Sequence, residues 1–123
     1  MIVLPEMFNT PFNKDNILQN QEPIDLQNEK SVTARMLSDM AKQTQKYIIG
    51  GSIPESIEEE EGKRVYNTCL CFDREGQITA KHRKIHLFDI NIPGKTVSQE
   101  SSHVKHGPPQ FTLFETEYCK VKE

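Results

Sequence analysis

Residues 81–89 read Lys-His-Arg-Lys-Ile-His-Leu-Phe-Asp and follow directly on a strand-like run. Basic side chains and one acid surround a short apolar stretch, and Ile85, Leu87 and Phe88 favour an inward position for the preceding Lys84. A lysine held out of water beside a carboxylate can present its charge to a developing oxyanion. Lys84 is therefore a candidate catalytic residue. The alternative is a surface lysine in a basic localisation or phosphate patch.

The carboxylate that could partner Lys84 lies near the other end of the chain. Residues 2–4 are apolar and predict a short buried strand, which Pro5 ends because proline cannot donate to a sheet ladder. Glu6 follows that proline. It is a candidate catalytic carboxylate, and a helix-capping or loop carboxylate is the alternative.

The bulk composition narrows the class of protein. The 123 residues suffice for one domain, residues 1–123. Fifteen Lys and Arg against 18 Asp and Glu give a net charge of −3, which argues against a nucleic-acid partner. No apolar run reaches the length of a membrane span, and the first residues do not resemble a signal peptide. Three cysteines do not make a disulfide framework, so a cytoplasmic location is expected.

The clearest predicted helix covers residues 29–46, after an irregular stretch over 8–22 that predicts a loop or a broken helix. Ser31 is expected to cap its first turn. Apolar or small side chains recur at three- and four-residue spacing at Met36, Leu37, Met40, Ala41 and Thr44. Residues 47–49 then predict a short buried strand. A strand, a helix and a strand in this order predict a βαβ-like unit, and hence the α/β class.

The second half of the chain predicts hairpins. Residues 65–72 and 77–82 have strand character and are joined by Asp-Arg-Glu-Gly at 73–76, a sequence typical of a tight turn. Residues 58–62 predict an exposed acidic loop, and residues 85–109 predict a long segment with little regularity. A last hairpin is predicted from residues 111–114 and 118–121.

The histidines give a weak metal signal. His82 and His86 have the spacing of helical metal ligands, but His82 ends a predicted strand, and no cysteine or carboxylate lies at ligand spacing. A structural hydrogen-bonding role is expected for His86, and no metal is expected.

The cysteines are expected to be structural. Cys69 and Cys71 lie two residues apart on one predicted strand, so they share a face and are expected to pack as small apolar side chains. Cys119 lies beside Lys120, which would point to the opposite face of a strand and could not lower the pKa of the thiol. Cys119 is therefore not expected to be a nucleophile.

Several ordered motifs extend the argument to nearly the whole chain. They are LPEMFN at 4–9, IGGSIPE at 49–55, YNT at 66–68, RKIHLFD at 83–89, PGK at 93–95 and QES at 99–101. In this order they resemble the nitrilase, or carbon–nitrogen hydrolase, superfamily, and most closely its omega-amidase branch. The motif around Lys84 is the most specific, and the motif around Glu6 supports it.

The resemblance implies a fold and a chemistry. The fold is a partial α-β-β-α sandwich, and the activity is hydrolysis of small carboxylate-bearing amides to acid and ammonia by a Glu-Lys-Cys triad. By position, Glu6 resembles the general base, Lys84 the oxyanion-stabilising lysine and Glu100 a further glutamate that orients this lysine. The resemblance implies no cofactor. The implied partners are a small amide substrate and, in a full-length form, further copies of the same chain.

One departure from the family pattern is serious. The nucleophilic cysteine of the family would follow a few residues beyond 118–121, on a glycine-rich turn, and no residue of this chain matches it. Cys119 lies upstream of that place. The resemblance therefore implies an incomplete hydrolase domain that also lacks the family's first strand and helix and is inactive alone. The alternative is a non-catalytic interaction module whose uncovered sheet edges favour association.

Overall fold

The structure is a computed structural model that describes residues 1–60 and 62–122. Its helices are Lys14–Gln19 (α1) and Val32–Thr44 (α2), with a 3-10 turn at Glu100–Ser102. Its strands are Ile2–Val3 (β1), Ile48–Ile49 (β2), Ile53–Glu59 (β3), Gly62–Phe72 (β4), Ile78–Arg83 (β5), Asp89–Ile92 (β6), Thr96–Gln99 (β7), Leu113–Glu115 (β8) and Lys120–Lys122 (β9). Within the two described ranges, every helix is too short or too polar to span a lipid bilayer.

The predicted βαβ-like unit is present. β1 pairs in parallel with β2, with Ile2 opposite Ile48, and α2 forms the crossover between them. One side of α2 packs on the sheet and forms a buried apolar cluster with it. The helix contributes Ala34, Leu37 and Ala41, and the strands contribute Ile48, Ile53, Leu70 and Phe72. Met36 and Met40 were expected in the same apolar face, but they lie on the outer side of α2 and are 45% and 42% exposed.

The start of α2 corrects the prediction for Ser31. Ser31 occupies the N-cap position, but its hydroxyl makes no capping bond and donates instead to the carbonyl of Pro23. The buried carboxylate of Glu22 accepts hydrogen bonds from the backbone N–H groups of Thr33 and Ala34, at 2.9 and 2.8 Å. A charged cap suits the positive end of the helix dipole, so Glu22 takes the place that Ser31 was expected to fill.

The long strand β4 organises the sheet. Thr68 pairs with both β3 and β5, and Phe72 pairs with both β2 and β5. A strand residue has one partner on each side, so β5 runs along one edge of β4 while β2 and β3 share the other edge. The β4–β5 hairpin closes at Gly76, whose φ is +75°, as the turn sequence predicted.

Two segments that were predicted to be irregular contain strands. Glu58 and Glu59 belong to β3 and pair with the start of β4, because β4 begins before Val65. Glu61, in the predicted acidic loop, lies outside the described residues. The long segment after β5 contains the β6–β7 hairpin, which turns at Gly94 with a φ of +72°. Its side chains are mostly exposed, and each of its strands is only four residues long. Polar and apolar residues alternate along β6, but over too few residues for the pattern to predict a strand.

The last hairpin, β8–β9, forms as predicted and covers the side of the sheet that faces away from α2. Phe114 packs there with Ile49, Cys71 and Ala80. Alternate side chains of β4 therefore contact different layers: Leu70 and Phe72 face α2, whereas Cys69 and Cys71 face the hairpin side. This alternation divides the polar residues of the sheet into two clusters. The parallel β1–α2–β2 unit agrees with the predicted α/β class.

Candidate active site

Lys84 lies between two carboxylates from distant parts of the chain. Its Nζ is 2.9 Å from Oε1 of Glu6 and 3.0 Å from Oε2 of Glu100. Glu6 and Lys84 are 78 positions apart in sequence. The structure therefore brings together the three residues that the sequence analysis selected as candidate catalytic residues.

Glu6 is positioned by the segment that leaves β1. Leu4 N–H donates to the carbonyl of Ile49, and Met7 N–H donates to the hydroxyl of Ser52. Gly51, with a φ of +60°, packs directly on this segment, and a Cβ there would lie 2.0 Å from the carbonyl oxygen of Pro5. The backbone on both sides of Glu6 is therefore fixed, while its side chain is 53% exposed.

Lys84 is positioned by the end of β5. Its N–H donates to the carbonyl of Asn67 on β4 at 2.8 Å, and its carbonyl accepts from the N–H of Gly107 at 2.9 Å. The ammonium lies 5.6 Å from the centre of the Phe12 ring. The Lys84 side chain is 25% exposed. The apolar residues that follow it in sequence predicted a deeper burial.

Glu100 is the buried member of the cluster. It begins the 3-10 turn after β7, and its side chain is fully buried. Its Oε2 accepts from the backbone N–H of Phe88 at 2.6 Å as well as from Lys84, and its own N–H donates to the carbonyl of Phe88. The segment after Lys84 therefore folds back so that Glu100 can hold the lysine.

Asn67 is the site residue that the sequence analysis did not identify as one. Its Nδ2 donates to Oε1 of Glu6 at 2.7 Å and to Oε1 of Glu100 at 3.2 Å, and the residue is buried. The sequence does contain a signal for a functional role of Asn67, because asparagine is unfavourable inside strands and Asn67 lies within a predicted strand. It also belongs to the YNT motif.

The charges of the cluster shift the ionisation of Glu6 and Lys84. Burial disfavours the charged form of Glu6, but the hydrogen bonds from Lys84 and Asn67 outweigh it and lower the pKa of the Glu6 carboxyl. Burial likewise opposes the charge of Lys84, while hydrogen bonds to Glu6 and Glu100 raise the pKa of the lysine. Glu6 is therefore a carboxylate and Lys84 an ammonium at neutral pH.

A cavity of about 480 Å³ opens beside the cluster. Glu6, Asn67 and Lys84 line it together with His82 and His86. Nδ1 of His82 is hydrogen-bonded to the hydroxyl of Thr112 at 3.0 Å. Within residues 1–60 and 62–122, no group of three histidines, cysteines or carboxylates could hold a metal ion. Glu6 and Lys84 line this cavity, so a small molecule bound in it would contact a base and a cation.

The three cysteines differ in their surroundings. Cys71 is buried in the core, as expected. Cys69 packs against the same apolar cluster, as expected, but it is only partly buried and also lines the cavity. Cys119 is exposed just before β9, and Thr116 lies within hydrogen-bonding range of its sulfur.

A second polar cluster lies on the α2 side of the sheet. The buried carboxylate of Glu55 accepts from Arg83 at 2.7 and 2.9 Å, from Lys81 at 3.1 Å and from Thr68 at 2.7 Å. Burial opposes its charge, but these partners outweigh the burial and lower the pKa of Glu55. The cluster ties β3, β4 and β5 together next to Lys84.

The fold and the cluster define a class of protein. An α/β sheet carries a lysine between two glutamates beside a small cavity, and the sequence profile described as carbon-nitrogen hydrolase matches residues 1–122. The chain belongs to the carbon–nitrogen hydrolase family, as the ordered motifs indicated.

Individual relatives narrow the comparison. The chain is 41% identical over 121 residues to the chloroplastic omega-amidase of Arabidopsis thaliana, covering 98% of this chain and 31% of that protein. It is 45% identical to the omega-amidase NIT2 of Xenopus tropicalis, covering 98% of this chain and 40% of that protein. The Saccharomyces cerevisiae Nit3 structure, a member of the nitrilase superfamily, superimposes with a TM-score of 0.73 at 30% identity, over 97% of this chain and 39% of Nit3.

These matches confirm the nitrilase-type fold and the omega-amidase-like sequence. They also show that the chain spans between 31% and 40% of the length of these relatives.

Proposed function

We propose that this chain supplies the acid–base and oxyanion-stabilising residues of an omega-amidase-type site. The reaction is hydrolysis of a small carboxylate-bearing amide to the acid and ammonia. One observation carries the proposal: the Lys84 ammonium lies 2.9 and 3.0 Å from the Glu6 and Glu100 carboxylates, beside a cavity of about 480 Å³. Sequence identity to proteins named omega-amidases supports the substrate class.

Glu6 is the proposed general base. Both side-chain donors that hold it within the described residues, Lys84 and Asn67, end on Oε1, so Oε2 is the oxygen left to accept a proton. Oε2 takes the proton of a thiol, and the thiolate attacks the amide carbon. The C–N bond breaks as Glu6 returns the proton to the departing ammonia. Water then hydrolyses the thioester, releasing the acid and restoring the thiol.

Lys84 is the proposed oxyanion stabiliser. When the thiolate adds to the amide, negative charge moves to the carbonyl oxygen, and a fixed ammonium at the cavity wall stabilises that charge. Glu100 is proposed to orient the lysine rather than to act as a base. Its side chain is fully buried, and both of its oxygens already accept hydrogen bonds.

The thiol is proposed to come from outside residues 1–60 and 62–122. Cys71 is enclosed in the core, and Cys119 lies on the exposed loop between β8 and β9. Cys69 is the one described cysteine that lines the cavity, so it is the alternative nucleophile. The chain alone is therefore expected to be inactive, unless Cys69 serves.

Two ammonia-release assays test this proposal. The purified chain alone should release no ammonia from small amides that carry a distal carboxylate. A chimera in which residues 1–122 replace the matching segment of the Xenopus tropicalis omega-amidase should release it. Glu6→Gln or Lys84→Met should lower that rate on the order of a hundredfold or more. Glu58→Gln, at the exposed end of β3, is the matched control and should leave the rate unchanged.

A chimera that has the parent's circular dichroism and an undiminished rate with Lys84→Met would overturn the proposal. Turnover by the chain alone that Cys69→Ala abolishes would keep the reaction and make Cys69 the nucleophile in place of an external thiol. Association between copies of this chain, and a non-catalytic interaction role, stay predictions. Sedimentation velocity tests both, because a monomer at every concentration would contradict them.

A further inference from the structure

One amide nitrogen holds both carboxylates of the site. Nδ2 of Asn67 carries two protons, and its hydrogen bonds run to Oε1 of Glu6 at 2.7 Å and to Oε1 of Glu100 at 3.2 Å. Lys84 contacts the same two carboxylates. Asn67 and Lys84 therefore form two bridges between Glu6 and Glu100, of which one is neutral and one is charged.

Asn67 is built into the most constrained part of the sheet. It is 2% exposed, it pairs with Pro54 across β3, and its carbonyl accepts from the backbone N–H of Lys84 at 2.8 Å. Strand pairing on one side and the Lys84 hydrogen bond on the other fix its backbone. Its side chain can therefore act as a rigid reference point for groups that are less constrained.

Glu6 is such a group. The buried Glu100 is also held by the backbone N–H of Phe88, whereas the Glu6 side chain is 53% exposed and is held by Lys84 and Asn67. Water competes with the protein donors for the oxygens of this exposed carboxylate, so the Glu6 side chain can move away from Lys84. A hydrogen bond from Asn67 opposes that movement.

We infer that Asn67 is a positioning residue, which fixes Oε1 of Glu6 against Lys84 and directs Oε2 toward the cavity. This inference rests on the proposed function, because it assigns Asn67 to the same site. The role assigned to Asn67 is to hold other side chains and not to transfer a proton. It acts through Glu6 and, more weakly, through Glu100.

Carbon-detected NMR titration of the glutamate carboxyls tests the inference in the chain itself, without turnover. The titratable groups that face Glu6 are Lys84, Glu100, His82 and His86. In the parent chain, Glu6 should titrate below an ordinary glutamate. Asn67→Leu, which is similar in size but donates no hydrogen bond, should move its midpoint to higher pH.

Glu55 is the internal control, because it lies on the opposite side of the sheet. It should titrate identically in the parent and in Asn67→Leu if the sheet is intact. An unchanged Glu6 midpoint together with an unchanged Glu55 midpoint would overturn the inference.

A second measurement needs no substitution at Asn67 and covers the case in which Asn67→Leu does not fold. The side-chain amide protons of Asn67 should shift as Glu6 takes up its proton in acid. Glu6→Gln should remove that shift from the proton that faces residue 6. Amide resonances that stay constant through the Glu6 titration would contradict the inference.

The chimera separates this inference from the proposed function. Asn67→Leu should lower kcat on the order of a hundredfold, with little change in KM, because the base is misplaced while the cavity remains. An inactive parent chimera with a shifted Glu6 titration would reject the function and keep the positioning role. An active chimera whose kcat and Glu6 titration do not respond to Asn67→Leu would reject the positioning role alone.

Discussion

Arg83 donates two hydrogen bonds to the buried carboxylate of Glu55, from Nε at 2.7 Å and from Nη2 at 2.9 Å. Lys84, the next residue, faces the other side of the sheet and holds Glu6 and Glu100. The last residue of β5 and the residue after it thus anchor two clusters on opposite faces of the sheet. The Glu55 cluster fixes the end of the strand from which the candidate catalytic lysine follows.

Glu55→Gln should destabilise the fold by about 2 to 3 kcal/mol, because it leaves a fork of donors without its buried carboxylate. Urea denaturation measures the loss as a lower midpoint. Glu58→Gln removes an equal charge from the exposed end of the same strand and should change stability by about 0.5 kcal/mol or less. Equal effects of the two substitutions would show that the Glu55 cluster does not stabilise the sheet.

The cap of α2 gives a second prediction. Glu22→Gln should cost about 1 to 2 kcal/mol, because the neutral amide loses both the charge and one of the two acceptors that face Thr33 and Ala34. Thermal unfolding followed by circular dichroism measures it. Glu29→Gln, at an exposed position just before the helix, is the matched control, and a cost as large as that of Glu22→Gln would argue against the cap.

The contact between Gly51 and the Glu6 segment gives a third prediction. Gly51→Ala should be clearly more destabilising than Gly94→Ala, and it should displace Glu6. Both glycines have a positive φ, so alanine costs about 1 to 2 kcal/mol of backbone strain at either position. Only at Gly51 would the new Cβ also lie 2.0 Å from a backbone oxygen, whereas at Gly94 it meets no atom within 4 Å. Similar unfolding midpoints would contradict this packing.

Acid should destabilise the protein through Glu6 and Glu55. Both carboxyls have a pKa lowered below the ordinary value of 4.5, so folding favours their ionised forms. Their contribution is fully present above about pH 4.5 and is lost as the pH falls through the lower folded pKa values. Stability measured against pH should therefore decline below about pH 4.5. The decline should be shallower in Glu55→Gln, and an equal slope in both proteins would refute the contribution of Glu55.

Local signals in the sequence predicted much of the framework. The apolar strand 2–4, the periodic helix and the turn at 73–76 each carry a short-range pattern, and each element forms. The family motifs predicted that Glu6, Lys84 and Glu100 share one site, although Glu6 and Lys84 are 78 positions apart in sequence. Long-range proximity of this kind follows from resemblance and not from periodicity.

Other features depend on tertiary contacts that leave no local pattern. Glu22 caps a helix that begins ten residues later, whereas the local pattern indicates only the adjacent Ser31 as a cap. The β6–β7 hairpin is mostly exposed, and its strands are only four residues long. The strand pattern around Asn67 gives no sign of its two carboxylate partners, because they come from distant parts of the chain. Each feature becomes visible only when the sheet places the partners side by side.

We propose that Glu6 and Lys84 act as one catalytic unit. The most direct test is the ammonia-release rate of the chimera carrying Glu6→Gln, Lys84→Met or both substitutions. Residues that act as a unit show strongly non-additive losses, so the double variant should be about as slow as the slower single variant. Losses that multiply in the double variant, or a Lys84→Met rate equal to that of the parent, would contradict the claim.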